Sequence, residues 1–447
     1  MISKYRDLLL HNKIKVGIWG SGYIGFTTAV NFAINGVEGI CYDTNKDVVE
    51  AIRRGDVTIP NLEYWIGFPI KPFIRRGLLT TTHRVEDMLK NEVKVHMIAV
   101  PTEKGGEPWS APLEDVIGKI GKKPSAGKPP ELIIIESTLT PKDVEKVVLP
   151  ILHKSGRKVG KDILVGVAPR RDWFHSSEKN IKNLPRVYAG TDARAARAIH
   201  DVLSIICDRL IEASSVRIAE LVKAVENSLL HVPAVYAMQL ALAYPDIDIT
   251  EVLRLASTHW RIPYYYPTMG TGGYCIPVSS KYVKLGATRP EQLTIVDEVL
   301  KYDGEIARIV VDEIAKIKNP VVGLMGLCYK SDLKVHTLSP SMLISELLKT
   351  KGIGVKIHDP YYTEDEIRTL TGLDTFSYPD GLKKFNCIVI VPEHRIYTQT
   401  PVRILSQCLK RGQHIFDNTG TWEKYRGLFT KKGIVYRKIG DANWLAD

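Results

Sequence analysis

Apolar positions along the chain change their period twice. The run KIKVGIWG is apolar and ends in glycine, YIGFTTAVNFAINGV repeats at helical spacing, and EGICYD is a second short apolar run. VKVHMIAVP, ELIIIEST and DILVGVAP follow, apolar on both faces as strands buried in a parallel sheet must be. Proline, glycine and lysine mark KKPSAGKPPE as a loop. This alternation predicts a doubly wound α/β domain running to about residue 205. Helical spacing then takes over in SVRIAELVKAVENSLLHVPAVYAMQLALAY, with a kink expected at Pro233, and again in DITEVLRLA. A loop rich in tyrosine, glycine and proline is expected from His259 to Pro277. Strand-length runs return from about Asn319 in NPVVGLMGLCYK, GIGVKIHDP, FNCIVIVPEH and GQHIFDNTG, with SPSMLISELLKT as a helix between the first two. The division expected is an α/β domain over 1–205, a helical domain over 206–305 and a second α/β domain over 306–447. The apolar excess of the middle region suits a dimer interface.

A chain of 447 residues, 44% apolar, is long enough for several cored domains. No apolar run reaches the length of a bilayer, and MISKYRDLLLHNKIKV lacks the apolar stretch of a signal peptide, so a cytoplasmic protein without membrane contact is expected. The six cysteines form no C-x-x-C pair. Free thiols are expected, with neither a disulfide framework nor a metal cage. A net charge of +11 suits an anionic partner. Without a zinc finger, an RNP-type motif or a long basic block, that partner is expected to be a small phosphorylated ligand rather than nucleic acid.

Two stretches carry chemistry. Gly20, Gly22 and Gly25 form G-x-G-x-x-G between an apolar strand and a helix, with Tyr23 and Ile24 inside the motif. The first glycine allows the tight turn, the second lets backbone approach a pyrophosphate, and the third lets helix and strand pack closely. The helix N-terminus then offers N–H groups to phosphate. Asp43 ends the second strand, where a carboxylate accepts from ribose hydroxyls, favouring NAD over NADP. The second stretch is GTGGYCIPVSSKYV, in which Cys275 follows Gly272, Gly273 and a tyrosine. A cysteine is ordinarily a small buried hydrophobe. Glycines before it instead allow the backbone close to a ligand. Lys223 and Asn227 are four apart on the long helix and share a face, either solvated or functional.

Taken together, GIWGSGYIG, VPTE, ESTLTP, AELVKAVENS, GTGGYCIPV, GLCYKSD, LSPS and HDPYY resemble, in order, the nucleotide-sugar dehydrogenases, the UDP-glucose and UDP-N-acetylmannosamine dehydrogenase family. The likeness spans nearly the whole chain, and Ile-Pro-Val after the cysteine is closest to the N-acetylmannosamine branch. The resemblance implies an N-terminal Rossmann-like NAD-binding domain, a central helical dimerisation domain and a C-terminal Rossmann-like domain that binds the nucleotide sugar. It implies oxidation at the sugar C6 to a uronic acid through a thiohemiacetal and thioester on Cys275. Lys223 and Asn227 then stabilise the oxyanion and orient water, Thr102, Glu136 and Thr138 lie near NAD, and Lys330 reaches the nucleotide sugar. Arg261 stands where the family supplies an arginine across a homodimer, and Gly272 and Gly273 line the substrate. Tyr264, Tyr265 and Tyr266 either stack on the base or pack, packing being expected for two of them.

Departures from the pattern matter as much. The glutamate the family places after the proline of VGVAPRRDWF is Arg170, and the aspartate four residues past the cysteine is Ser279. Family arginines of the last domain are replaced by Thr337 and Thr419. An arginine cannot serve as a base. Either another acid substitutes, with Asp172 and Glu178 nearby, or hydrolysis is not the main task. The doublet Arg170-Arg171 is then free to bind a substrate carboxylate or phosphate. The rival readings are a single two-electron or hydrolysis-deficient oxidoreductase, a non-catalytic nucleotide-sugar-binding protein and, more distantly, a 3-hydroxyacid dehydrogenase.

Overall fold

The computed structural model describes residues 5–56, 69–124, 127–171 and 179–445. Internal packing divides the chain into two compact units, Met1–Glu226 with Lys281–Pro290, and Asn227–Ser280 with Glu291–Asp447. The helical stretch of the middle is shared between them. The long helix Val216–Ala243 is divided after Glu226, with Pro233 inside it, and Ile276–Gly286 is divided after Ser280.

The first unit is built on eight strands: β1 (Lys15–Trp19), β2 (Gly39–Tyr42), β3 (Leu79–Thr82), β4 (Val93–Ile98), β7 (Glu131–Ile135), β8 (Ile163–Val167), β9 (Arg186–Gly190) and β10 (Leu210–Glu212). A small antiparallel hairpin of β5 (Glu103–Lys104) and β6 (Glu107–Pro108) stands apart from it. The sheet order is β10-β9-β8-β7-β4-β1-β2-β3, parallel except where β8 meets β9. Every residue of β4, β7 and β8 is buried, as strands covered on both faces require. β1 to β3 run out in one direction and β4 returns to the far side of β1, so strand order reverses between β1 and β4. A crevice outside the carboxyl ends of those strands is where such sheets take ligands.

The second unit carries five parallel strands, β11 (Val321–Met325), β12 (Gly354–His358), β13 (Cys387–Ile390), β14 (His414–Asp417) and β15 (Val435–Lys438), in the order β12-β11-β13-β14-β15. The expected helix between β11 and β12 spans Pro340–Thr350, capped by the Ser339 hydroxyl with proline in its first turn. Its core includes Val322, Leu324, Ile344, Leu348 and Val389. DITEVLRLA forms the helix Ile249–Ala256, capped by Asp248. The loop expected to run from His259 to Pro277 ends sooner, at Cys275, because Ile276 already begins a helix and Pro277 fits its first turn. No helix among the described residues is long and apolar enough to cross a membrane.

Candidate active site

In the first unit the turn after β1 is shaped by close backbone approach. A Cβ on Gly25 would fall 1.9 Å from the Gly20 carbonyl oxygen, and one on Gly20, at φ +94°, 2.6 Å from that of Ala99. Gly22 caps the helix Tyr23–Ile34 without a side-chain acceptor. The first-turn N–H groups therefore have no side-chain cap competing with a phosphate. Asp43 sits at the end of β2, accepting from the backbone N–H of Ser21 and of Asn45, each at 2.9 Å. Those bonds fix the glycine turn and leave further lone pairs for ribose hydroxyls. The two other turns at this edge are tied together: Thr102 Oγ1 donates to the Thr138 carbonyl at 2.6 Å. Tyr282, whose phenol is buried, donates to the Thr102 carbonyl at 2.5 Å. Gly20, Gly22, Tyr23, Ile24, Gly25 and Asp43, expected to bind the cofactor, thus share the turn after β1, and the turns of Thr102 and Thr138 are joined to one another.

Glu136, expected near NAD, is buried, takes the Thr28 hydroxyl at 2.8 Å and pairs with Arg186, so its carboxylate is committed inside the protein. Arg170 and Arg171 also turn inward, which corrects the expectation of a substrate contact. Arg170 is 5% exposed and donates to Thr28 Oγ1 at 2.6 Å, Thr27 Oγ1 at 3.0 Å and the Ile24 carbonyl at 3.1 Å. Arg171 pairs with Glu226 at 2.5 Å and donates to the Pro185 carbonyl at 2.8 Å. A buried guanidinium must spend its N–H groups, and the first turns of the dinucleotide helix are where Arg170 spends them. Asp172 and Glu178 lie outside the described residues. Lys223 is half-buried on the long helix of this unit.

The second unit assembles the cysteine loop. Of the six cysteines five are buried and Cys275 is exposed, so it is not the ordinary buried thiol. It stands immediately before the helix Ile276–Gly286, where backbone N–H groups favour negative charge. Gly272 and Gly273 have φ +65° and +78°, and a Cβ on either would come within 2.6 Å of Tyr329. The loop is tied at Met269, whose N–H donates to Asn418 at 2.7 Å, and at Gly273, whose N–H donates to the Thr337 carbonyl at 2.8 Å. Thr337 thus serves the loop through its backbone. The buried Thr419 hydroxyl has no partner.

Lys330 lies within electrostatic reach of Cys275; burial first, opposed by the thiol's charge, brings its ammonium down to about 8. The strand end that delivers it is clamped: Asp359 accepts from the backbone N–H of Leu327 at 2.7 Å and of Cys328 at 3.2 Å. Cys328, Asp359 and His394 are a metal-like trio among the described residues. The Asp332 N–H donates to His394 Nδ1 at 2.9 Å, which puts the ring proton on Nε2, facing Asp359 at 3.3 Å. That tautomer is a hydrogen-bonded clamp and has no lone pair at Nε2 for a metal.

Asn227 is buried and donates to Ser279 Oγ at 3.0 Å, one helical turn past Cys275. Arg261 is exposed with its guanidinium 4.5 Å from the centre of the Trp260 ring. Tyr264 and Tyr266 are each 45% exposed and pack on one another rather than into a core. Sequence reasoning missed Tyr282, Arg186 and the pair His231–Asp303. Of these only His231 left a signal, continuing the spacing of Lys223 and Asn227 by four more residues.

Three family models match the chain in order: the NAD binding domain of the UDP-glucose/GDP-mannose dehydrogenase family over residues 14–206, its central domain over 217–305 and its UDP binding domain over 323–424. The chain is 25% identical to the UDP-N-acetyl-D-mannosamine dehydrogenase of Methanococcus aeolicus, over 96% of each chain. It is 26% identical to Protein CapL of Staphylococcus aureus, over 86% of this chain and 91% of the relative. Among solved structures, the UDP-D-ManNAc dehydrogenase of Pyrococcus horikoshii superposes with a TM-score of 0.83 at 24% identity, covering 96% of this chain and 100% of that one. A UDP-glucose dehydrogenase from Pyrobaculum islandicum gives 0.81 at 23% identity, covering 96% and 98%.

Proposed function

Because the chain belongs to the UDP-glucose/GDP-mannose dehydrogenase family and oxidises a nucleotide sugar with NAD, we propose that it carries the sugar C6 through two oxidations to the uronate, with Cys275 as nucleophile. UDP-N-acetyl-D-mannosamine is the substrate proposed first, on the names of the relatives and the Ile-Pro-Val that follows the cysteine. NAD supplies the hydride acceptor for both two-electron steps. Once the alcohol is an aldehyde, the Cys275 sulfur bonds to C6 and the carbonyl oxygen takes a proton. Loss of hydride from C6 and of the hydroxyl proton leaves a thioester. Water then adds at C6, the C–S bond breaks, and the thiol and carboxylate separate. Asn227 and Lys223 steady the oxyanion that forms twice in this sequence. Lys330, Gly272 and Gly273 hold the nucleotide sugar, and Arg261 serves a neighbouring copy in a homodimer.

A single observation carries this reading: the one exposed cysteine of six lies in the glycine turn, within electrostatic reach of the Lys330 ammonium. The test is NADH formation, followed by absorbance, on adding UDP-N-acetyl-D-mannosamine or UDP-glucose. Cys275→Ser is expected to lower turnover by at least about 10³-fold while binding of the nucleotide sugar stays within about threefold. Turnover unchanged in that variant refutes the thioester route, and no NADH with any nucleotide sugar refutes the substrate class. A second reading, oxidation without efficient hydrolysis, is favoured by the inward turn of Arg170 and by Ser279, which leave both usual carboxylate positions without a base.

A further inference from the structure

His231 stands four residues past Asn227 on the long helix and is fully buried. Its Nε2 lies 3.1 Å from Asp303 Oδ2, and its Nδ1 lies 2.9 Å from Ser280 Oγ, which is itself 3.2 Å from Ser228 Oγ. Asp303 in turn grips the cysteine loop twice, accepting from the Thr271 N–H at 2.8 Å and from the Thr271 hydroxyl at 2.6 Å. Burial opposes its ionisation, yet the bonds from His231 and Thr271 hold its carboxyl below the usual range. A largely buried carboxylate with this many donors is a stiff anchor.

Serine, histidine and aspartate follow one another here in the order of a hydrolytic triad, but Ser280 and His231 are each fully buried, so neither touches a substrate. What the chain of bonds does reach is the backbone on either side of the nucleophile. Thr271 precedes Cys275 in the glycine turn, and Ser280 follows it in the next helix. One imidazole on the Asn227 helix therefore holds both flanks of the loop. The family's loop aspartate is Ser279 here, which reaches Asn227 only as a hydroxyl.

We infer that His231 and Asp303 are positioning residues that fix the Cys275 loop against the helix bearing Asn227. The inference rests on Cys275 being the nucleophile. A displacement of about 1 Å at a reacting centre costs about 10²-fold in rate, so loosening this anchor acts on turnover far more than on binding.

The experiment compares His231→Leu, His231→Gln and Thr271→Val with the unaltered protein, using UDP-N-acetyl-D-mannosamine and NAD. His231→Leu is expected to lower kcat about 30-fold or more with both KM values within about threefold, and His231→Gln, which keeps an N–H for Asp303, to recover most of that loss. Thr271→Val keeps the backbone bond and loses the hydroxyl bond, and is expected to fall about 10-fold. Amide exchange over 268–275 is expected to quicken about 10-fold in His231→Leu and Thr271→Val, with β1 and β4 unchanged. Equal loss in His231→Gln and His231→Leu, a kcat within about threefold of the unaltered protein, or unchanged exchange in the loop each overturns the inference. Should His231→Leu not fold, Thr271→Val decides by the same two measurements. If the unaltered protein turns over no nucleotide sugar, the functional reading fails and the exchange arm still judges the anchor.

Discussion

Lys330 is pulled down to about 8 by burial, with the Cys275 thiol pushing the other way, so its charge is lost within the working range of an enzyme assay. The sign is that of a buried base: the ammonium is present below about 8 and neutral above it. If the charged form holds the nucleotide sugar, kcat/KM is expected to fall about tenfold per pH unit above that value. Lys330→Met is expected to lower kcat/KM throughout and to remove this alkaline limb, leaving any limb that belongs to another group. A pH profile at saturating NAD checks both, and an alkaline limb at the same pH in the methionine variant refutes the assignment. The residue scale also shows what a motif cannot carry. Cys275 was legible from its glycines, because a backbone at φ +65° and +78° beside a tyrosine ring leaves only glycine. The direction of Arg170 was not legible. A long arginine reaches outward to a ligand as easily as inward, and what decides is Thr27 and Thr28, more than 140 residues earlier.

At the scale of elements, period alone gave β1, β2, β4, β7 and β8 in the first unit and the four runs read as strands in the second, because each must be apolar on its buried faces. It gave the long helix as well, but not where the loop before Ile276 ends, since a proline suits both a loop and a first helical turn. The pattern was also silent on the two polar residues inside β4. Lys94 and His96 are buried in a strand read as apolar, and both face Glu131, the first residue of β7, at 3.1 and 3.0 Å. Lys123, at the end of the helix Ala111–Lys122, reaches the same carboxylate at 3.1 Å. Two buried ammonium groups thus share one anion, which the pairing of β4 with β7 brings to Lys94. Burial would raise Glu131, but these partners bring it down to about 2. A depressed carboxyl stabilises the fold above its unfolded value and loses that contribution as pH falls toward about 2. Glu131→Gln leaves both lysines buried without their anion and is expected to cost about 3–5 kcal/mol, a fall in Tm of roughly 10 °C. It is also expected to lose less stability than the unaltered protein between pH 5 and 3. Calorimetry at those pH values checks both, and a Tm within about 2 °C of the unaltered protein refutes the account.

At the scale of the whole molecule, two properties decide how the chemistry runs. One is assembly. Leu229, Tyr236, Leu255 and Trp260 of the second unit are 65%, 58%, 53% and 81% exposed, an amount of open apolar side chain that a second copy would cover. The unaltered protein is therefore expected to sediment at twice the chain mass, and Leu229→Lys with Tyr236→Lys to sediment as a single chain; a monomer at micromolar concentration in the unaltered protein refutes the homodimer. The other is the balance between oxidation and hydrolysis. Forming the thioester needs a thiol, a hydride acceptor and an oxyanion partner, and the chain keeps a residue for each of its own parts. Releasing the acid needs a base for water, and at the two positions where the family pattern puts one the chain has a buried arginine and a serine bonded to Asn227. Loss of a general base slows its step by about 10² to 10⁴, while the steps before it do not depend on that base. The first turnover is then expected as a burst of two NADH per active chain, followed by a slow steady rate set by hydrolysis. During that slow phase the intact mass of the protein should rise by the acyl sugar nucleotide, and Cys275→Ser should show no thioester mass and at most one NADH per chain, from oxidation of the alcohol, in place of two. Over complete conversion the count remains two NADH per sugar, because the thioester is already at the oxidation level of the acid and only water is missing. One NADH per sugar with free aldehyde released would mean that the sulfur never captures C6, and the thioester route would fall with it.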